Sequence, residues 1–308
     1  MARVNLVSKD NDSGLSVDLK VMTDALTGLG HDVVWVDYRD SGMRECDAAV
    51  FLETPSEALM PLAYRTVFVP NPDCLDDDKV KLIDRFDQVW AKSETMRQLA
   101  DELPIRRLIV TGFATPDRVQ AKKRKTKTVL HMAGRSTGKG TAAVVEAWHR
   151  HGADLPPLTI TADWDLSLLG LTLPHNATYL GHIDRAAVGE LLNTHAIHLM
   201  PSRAEGWGHG IVEGLLCGAQ VITTDADPMN AHVRPEYGFL LPAIEEDMSG
   251  RVRCRRVDPD DIAATVKHAV ALPARERSQR GKAGRAHALA RAETFHAAVT
   301  DAMGDLLA

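Results

Sequence analysis

Short apolar runs punctuate the first 120 residues, at 4–7, 33–36, 48–52, 66–69, 88–91 and 108–110. Between them, 17–29 carries apolar residues at helical spacing and stops at Gly30, and 94–103 does the same and stops at Pro104. Strand-length runs alternating with helical patterns predict a parallel sheet with crossover helices. A second alternation begins at Thr128, with strands predicted at 129–132, 158–161, 178–180, 196–200 and 220–223 and helices at 142–149, 186–193 and 211–217. The tail, 274–308, is rich in Ala and Arg and reads as helix. Between the two alternations lies 121–127, AKKRKTK, with five basic residues. It predicts an interdomain linker. The chain is therefore expected to be α/β, with two Rossmann-like doubly wound domains facing a central cleft, and with ligands at the carboxyl ends of strands.

Length agrees, since 308 residues exceed what one core usually organises. Hydrophobic content of 44% and charged content of 25% are those of an ordinary globular protein. No run approaches the apolar length of a transmembrane helix, and the N-terminus reads as a first strand rather than a signal peptide. Cys46, Cys74, Cys217 and Cys254 form no C-x-x-C, which fits a reduced, cytoplasmic protein. The net charge of −6 is uneven: residues 1–120 hold 14 Lys+Arg against 21 Asp+Glu, a balance of −7, and the remainder holds 22 against 21.

The densest chemistry lies in 200–241. Glu205 and Glu213 have seven residues between them, and Gly206, Gly208, Gly210 and Gly214 surround them. A glycine-rich turn that opens a helix presents unpaired backbone N–H groups, where the helix dipole favours anions. Two carboxylates beside such a turn suit a ligand with both phosphates and hydroxyls, and a nucleotide sugar is such a ligand. Upstream, 132–141 (MAGRSTGKGT) also follows a strand and opens a helix, with Gly134, Arg135 and Lys139 suited to a pyrophosphate. A P-loop, G-x-x-x-x-G-K-[ST], does not fit: Ala133 stands at its first glycine and Gly140 at its hydroxyl position.

The stretch Pro201, Ser202, Glu205, Gly206, Trp207, Gly208, Glu213, Gly214, Gly218, Val221, Ile222 resembles the retaining glycosyltransferases called glycosyl transferases group 1 (family 4), which have the GT-B fold. The likeness covers about 128–245 well and the first 120 residues in outline. Gln220 departs from the usual proline at the start of a strand. The resemblance implies that Arg135 and Lys139 hold the donor diphosphate, that Glu213 accepts bonds from the ribose hydroxyls, and that Glu205 contacts the transferred sugar. Arg135, Lys139 and Glu205 form the implied catalytic set. The backbone N–H groups of Trp207, Gly208, His209 and Gly210 are implied to meet the donor, and His182 and Ile183, at the end of a strand, to flank the nucleotide base.

The first domain carries less signal. Gly14 and Ser16 resemble the family's glycine-rich first loop. Glu53, Asn71 and Asp73 terminate strands and are candidates to touch acceptor or donor sugar. The histidine that many family members carry there is missing, and His31 sits at a helix-to-strand turn. Asp163-Trp164-Asp165 spells D-x-D, read here as a loop, and His195 and His198 straddle a strand start, where odd offsets point to opposite faces. No metal is expected, and no cofactor beyond a UDP- or GDP-sugar donor.

The domain expectation is thus 1–120 for the acceptor, 121–127 as linker, 128–290 for the nucleotide sugar, and a last helix, 291–308, long enough to cross back to the first domain as GT-B helices commonly do. The expected activity is transfer of a hexosyl or pentosyl group to a hydroxyl of a small molecule or glycan. A second reading places hydroxylated DNA bases as acceptor, as in bacteriophage DNA, on the strength of the basic runs 122–127 and 251–256. A third is a nucleotide-sugar-binding protein without turnover.

Overall fold

The computed structural model describes residues 1–12, 14–40, 42–120, 123–170 and 172–308. Two compact units divide the chain. The first comprises Met1–Pro116, Ser249–Val252 and Ala290–Ala308, and the second Asp117–Met248 and Arg253–Leu289. Ala121 and Lys122, where the linker was expected to begin, lie outside the described residues.

In the first unit β1 (Arg3–Ser8), β2 (Asp32–Asp37), β3 (Cys46–Leu52), β4 (Ala63–Val69), β5 (Gln88–Ala91) and β6 (Leu108–Val110) form one sheet. All its pairings are parallel, in the order β2-β1-β3-β4-β5-β6. Helices α1 (Gly14–Gly28), α2 (Asp77–Val80) and α3 (Glu94–Leu99) fall between strands. The middle strands are apolar throughout because both faces are covered: Ala48, Ala49, Val50, Phe51 and Leu52 of β3 are all fully buried. Phe86 ties the core together, edge-on to Phe51 at 5.4 Å and stacked on Phe68 at 5.1 Å. The chain leaves β1 to one side through β2 and returns to the other side at β3, so the topological switch point lies between β1 and β3.

The second unit repeats the scheme. Its strands are β7 (Thr126–Gly134), β8 (Leu158–Ala162), β9 (Ala177–Tyr179), β10 (His195–Met200), β11 (Gln220–Thr224) and β12 (Gly238–Leu241), ordered β12-β11-β10-β7-β8-β9. The switch point here lies between β7 and β10. Helices α4 (Thr141–His151), α5 (Arg185–Thr194), α6 (His209–Leu216) and α7 (Met229–His232) connect the strands. A hairpin, β13 (Ile244–Ser249) and β14 (Val252–Arg256), and helices α8 (Pro259–Ala271) and α9 (Ala274–Leu307) follow. Trp148 on α4 and Val266 on α8 join Ile160, Ile197, Leu199 and Ile222 in the core. In the part of α9 that belongs to the first unit, Phe295, Val299, Met303 and Leu306 are buried, and Phe295 meets Phe113 at 5.0 Å.

Three differences from the sequence pattern have physical causes. The hairpin and β12 were not expected: Ile244–Ser249 and Val252–Arg256 hold charged residues at most positions and present no apolar alternation. Helix α8, also unexpected, starts from Asp258, whose side chain accepts from the Asp260 N–H, with Pro259 in the first turn. Within 123–127 the chain is already engaged with the second unit. Thr126 and Lys127 already lie in β7, and the Lys125 ammonium turns inward to the carbonyls of Leu192, Asn193 and His195.

Candidate functional site

The second unit's switch point is built by two interlocked turns. After β7, Ser136 accepts the Gly138 N–H at 3.1 Å and fixes the turn that carries Lys139. Gly140 follows with φ +75°, and a Cβ there would stand 2.1 Å from the Pro201 carbonyl oxygen. The Arg203 N–H in turn donates to the Gly138 carbonyl at 2.8 Å. The glycine is thus required twice, by its left-handed backbone and by the approach of the turn after β10. Beneath both turns His131 is fully buried, with Nδ1 2.8 Å from the Leu199 carbonyl and Nε2 2.9 Å from the Thr141 hydroxyl. A carbonyl only accepts, so Nδ1 carries the proton and Nε2 accepts from Thr141. Burial pushes the His131 pKa down to about 4, which keeps the ring neutral.

These turns bring together two sets of the residues expected for the donor. Lys139 Nζ lies 2.5 Å from Glu205 Oε1, which also accepts the Ser202 hydroxyl at 2.6 Å. Arg135 Nε is 3.5 Å from Asp163 Oδ2, and His182 Nδ1 is 2.9 Å from Asp163 Oδ1. Asp163 therefore links the expected phosphate arginine to the expected base-flanking histidine. The first aspartate of D-x-D is thus more than a loop residue, which its local sequence does not indicate. Asp165 behaves as a capping residue, accepting the Ser167 N–H at 2.9 Å. Ile183, half-buried, follows His182 past the end of β9.

Helix α6 begins at His209 after Gly208, which has φ +100° and supplies no side-chain oxygen to the first N–H groups. The turn before it is pinned from below. Trp207 is buried with its ring edge-on to His232 at 4.4 Å, and His232 Nε2 donates to the Trp207 carbonyl at 2.6 Å. The tryptophan side chain is thus packing, and only its backbone belongs to the turn's surface. Gly206 and Gly210 lie on either side. Gly214 lets α6 rest on the sheet, since a Cβ there would be 2.8 Å from both His198 Nδ1 and Val221 Cγ2. Glu213 comes next to it, 8% exposed, with Oε1 accepting from Arg118 Nε at 2.9 Å. Burial raises the Glu213 pKa, and the Arg118 guanidinium opposes that shift.

The first unit holds a second polar cluster, again at its switch point. Lys9, just after β1, is 3.1 Å from Glu53, just after β3. Glu53 has φ +62°, uncommon for a residue with a side chain. Its other oxygen accepts from Asn71 Nδ2 at 2.7 Å. Asn71 Oδ1 accepts from Lys92 Nζ at 2.7 Å, and Lys92 pairs with Asp18 of α1 at 2.5 Å, the two side chains 2% and 5% exposed. Four strand ends and one helix thus position a single carboxylate. Of the expected first-unit residues, Glu53 and Asn71 meet here. Ser16 is instead bonded to the Asp10 carboxylate and the Asn11 N–H, Gly14 opens α1, and Asp73 gives its carbonyl to the Ser249 hydroxyl at 3.1 Å. Lys9, Asp18 and Lys92 were not expected, because only the topology brings them together.

Several described residues of the basic runs are paired. Lys123 meets Glu190 at 2.5 Å, and burial pushes Lys125 down to about 8. Arg253 and Arg255 face Glu245 at 3.5 and 3.0 Å, Arg256 faces Glu246 at 3.8 Å, and Arg251 bonds Asp77. Among the described residues no helix is long and apolar enough to cross a membrane.

Comparison with known proteins agrees with this fold. Residues 165–287 match the family model described as glycosyl transferases group 1. No curated protein matches the sequence. Sucrose-phosphate synthase from Thermosynechococcus elongatus superposes with a TM-score of 0.75 at 15% identity, over 99% of each chain. HepE from Anabaena, in complex with UDP and glucose, gives 0.72 at 16% identity over 99% of this chain and 100% of its own. A glycosyltransferase from Rickettsia africae gives 0.73 at 13% identity over 99% and 98%. The chain has the GT-B fold, and its residues 165–287 are similar to the glycosyl transferases of group 1.

Proposed function

We propose that this protein is a retaining, metal-independent glycosyltransferase of family 4, moving a sugar from a UDP- or GDP-sugar to an acceptor hydroxyl. The observation that carries the reading is the lock between the turns after β7 and β10, which sets Lys139 against Glu205 at a switch point beside Arg135. Arg135, Lys139 and the N–H groups at 207–210 neutralise charge that grows on the departing diphosphate. Glu213 takes the ribose hydroxyls, His182 and Ile183 flank the base, and Glu205 orients the transferred sugar. The anomeric carbon–oxygen bond to phosphate breaks as the acceptor oxygen bonds to that carbon. The leaving phosphate takes the acceptor proton on the same face, which retains configuration. HepE holds UDP and glucose, which favours a UDP-linked sugar here.

The first unit presents the acceptor, a small molecule or glycan. Of Gly14, Ser16, Glu53, Asn71 and Asp73, the two joined in the switch-point cluster, Glu53 and Asn71, are the residues assigned to it. DNA is a weaker second reading, because the arginines of the hairpin and Lys123 already face carboxylates. A cytoplasmic location accords with four unbridged cysteines.

Thermal shift and calorimetry with UDP-, GDP-, ADP- and TDP-sugars test the donor. One of them is expected to bind, and to release free nucleoside diphosphate with an acceptor mixture. Binding without release in any acceptor mixture would leave a nucleotide-sugar-binding protein, and no binding at all defeats the proposal.

A further inference from the structure

We infer that Arg118 is a positioning and specificity residue for the donor nucleoside, holding the Glu213 carboxylate so that one oxygen is left to recognise a ribose hydroxyl. The inference rests on the donor reading above and goes beyond the family model, whose match begins at residue 165, after Arg118. Arg118 lies 95 positions from Glu213 in sequence, yet its Nε donates to Oε1 at 2.9 Å. Both side chains are largely covered, Glu213 the more so.

The backbone on either side of Arg118 is clamped to the second unit. Asn193, buried at the end of α5, donates to the Arg118 carbonyl at 2.8 Å and accepts the Gln120 N–H at 2.7 Å. Its amide also donates to Gly189 at 2.8 Å, which fixes the side chain within its own helix. On the other side Arg285 of α9 grips both oxygens of Asp117, at 2.9 and 2.6 Å, and donates to the Leu216 carbonyl at the end of α6. Three helices thus fix the segment that delivers one guanidinium to one carboxylate.

The consequence is chemical. A carboxylate buried this far is driven toward its neutral form, which is a poorer acceptor for a hydroxyl. The Arg118 guanidinium opposes that drive and fixes the rotamer through Oε1, with His209 and Lys139 acting on the charge in the same direction, so Oε2 is left as an oriented acceptor for the ligand. A site built around one such acceptor rejects a ligand that lacks the matching hydroxyl, because the carboxylate is then left unpaired on that side.

The test compares UDP and GDP with their 2′-deoxy counterparts by calorimetry, from about pH 5.5 to 8.5. It uses the full chain, Arg118→Ala, Arg118→Lys and Glu213→Gln. The parent is expected to prefer the ribonucleotide at every pH. Arg118→Ala should bind it roughly tenfold or more weaker at low pH, bind the deoxynucleotide nearly as the parent does, and regain ribose preference as pH rises. Arg118→Lys should keep part of that preference. If Arg118→Ala keeps the parent's preference and pH profile while Glu213→Gln loses preference, the role of Arg118 is overturned and the donor reading stands. If Arg118→Ala weakens both nucleotides alike and melts earlier, the arginine is only a strut and the inference likewise falls. Should Glu213→Gln bind all four as the parent does, the donor reading itself fails at Glu213 and takes the inference with it.

Discussion

Lys139 and Glu205 are bonded to each other, Nζ to Oε1 at 2.5 Å, although one is assigned to the diphosphate and the other to the sugar. The pair keeps a half-buried cation and a covered carboxylate satisfied until a ligand arrives. A donor would then separate the two tasks, phosphate drawing Lys139 away as a sugar hydroxyl bonds Glu205. Glu205→Gln is therefore expected to leave binding of free UDP or GDP unchanged or tighter while slowing transfer. Arg135→Ala and Lys139→Ala should weaken donor binding or slow transfer about ten- to a thousand-fold, each losing a charge-assisted contact. Calorimetry with free nucleotide, set beside nucleotide release during turnover, separates these outcomes. Parent-like behaviour in all three variants removes the assignment.

Gly140 and Gly30 share a left-handed backbone, with φ +75° and +82°, but differ in surroundings. A Cβ on Gly30 meets nothing within 4 Å, whereas one on Gly140 would overlap the Pro201 carbonyl oxygen at 2.1 Å. Gly30→Ala should cost about 1 kcal/mol, the conformational term alone. Gly140→Ala should cost at least about 2 kcal/mol more, since backbone must move, and should disable donor binding. Urea unfolding of the two variants gives the comparison, and equal losses would show that the turns are not locked.

The turns that carry the second unit's candidate residues were legible from sequence because their parts are contiguous: Gly134 to Lys139 and Glu205 to Glu213 each follow a strand and open a helix. Local glycine chemistry announces such turns. The partners of Arg118 and Asp163 were not legible, since they lie 95 and 19–28 positions away; nothing local marks Arg118, and the D-x-D pattern around Asp163 does not name its partners. In the first unit, Lys9, Glu53, Asn71 and Lys92 each follow a different strand, and only strand order makes them neighbours. The hairpin escaped notice for a different reason: its strands are held by ladder bonds and cross-strand charge pairs rather than by a buried face.

Buried neutral histidines make stability fall with acid. The His131 pKa is about 4 in the folded protein and near its ordinary 6.5 once unfolded, so between these values the unfolded chain binds more protons. Its contribution is complete above pH 6.5 and is lost as pH falls toward 4. At about pH 5 the loss from His131 alone should be about 2 kcal/mol. His195 and His198, also lowered by burial, act in the same direction. Urea midpoints measured across this range should show the slope, and His131→Gln should flatten it. An unchanged slope in that variant would exclude His131 as a source.

Asp18 and Lys92 form a buried ion pair under the first unit's polar cluster. Removing one partner leaves the other charge buried, so Lys92→Met or Asp18→Leu should each cost about 3–5 kcal/mol. The double variant should cost much less than the sum, because no charge remains stranded. Asn71 loses its Lys92 donor in Lys92→Met and in the double variant, so acceptor-dependent turnover should fall even in the stable double variant, with nucleotide affinity unchanged. A double-mutant cycle by urea unfolding, with turnover and nucleotide binding measured alongside, checks both halves. Parent-like turnover in the double variant would detach the cluster from acceptor binding.

Metal independence and retention form the last expectation. A transferase that uses a divalent cation needs carboxylates free to converge on the diphosphate. Asp163 is spanned by His182 and Arg135, and Asp165 caps the turn that begins at Leu166. Glu205 and Glu213 face Lys139 and Arg118. With Arg135, Lys139 and an uncapped helix start to neutralise the leaving group, turnover should survive EDTA within a factor of a few. The product's anomeric configuration, read by proton NMR, should equal the donor's. Loss of activity in EDTA, restored by Mg²⁺ or Mn²⁺, would point to Asp163 leaving its two partners to bind metal, and Asp163→Asn would then abolish the rescue. An inverted product would instead demand a general base in the first unit. Glu53, held by Lys9 and Asn71 on a strained backbone, is the group to replace first, and Glu53→Gln should then stop transfer without touching nucleotide affinity.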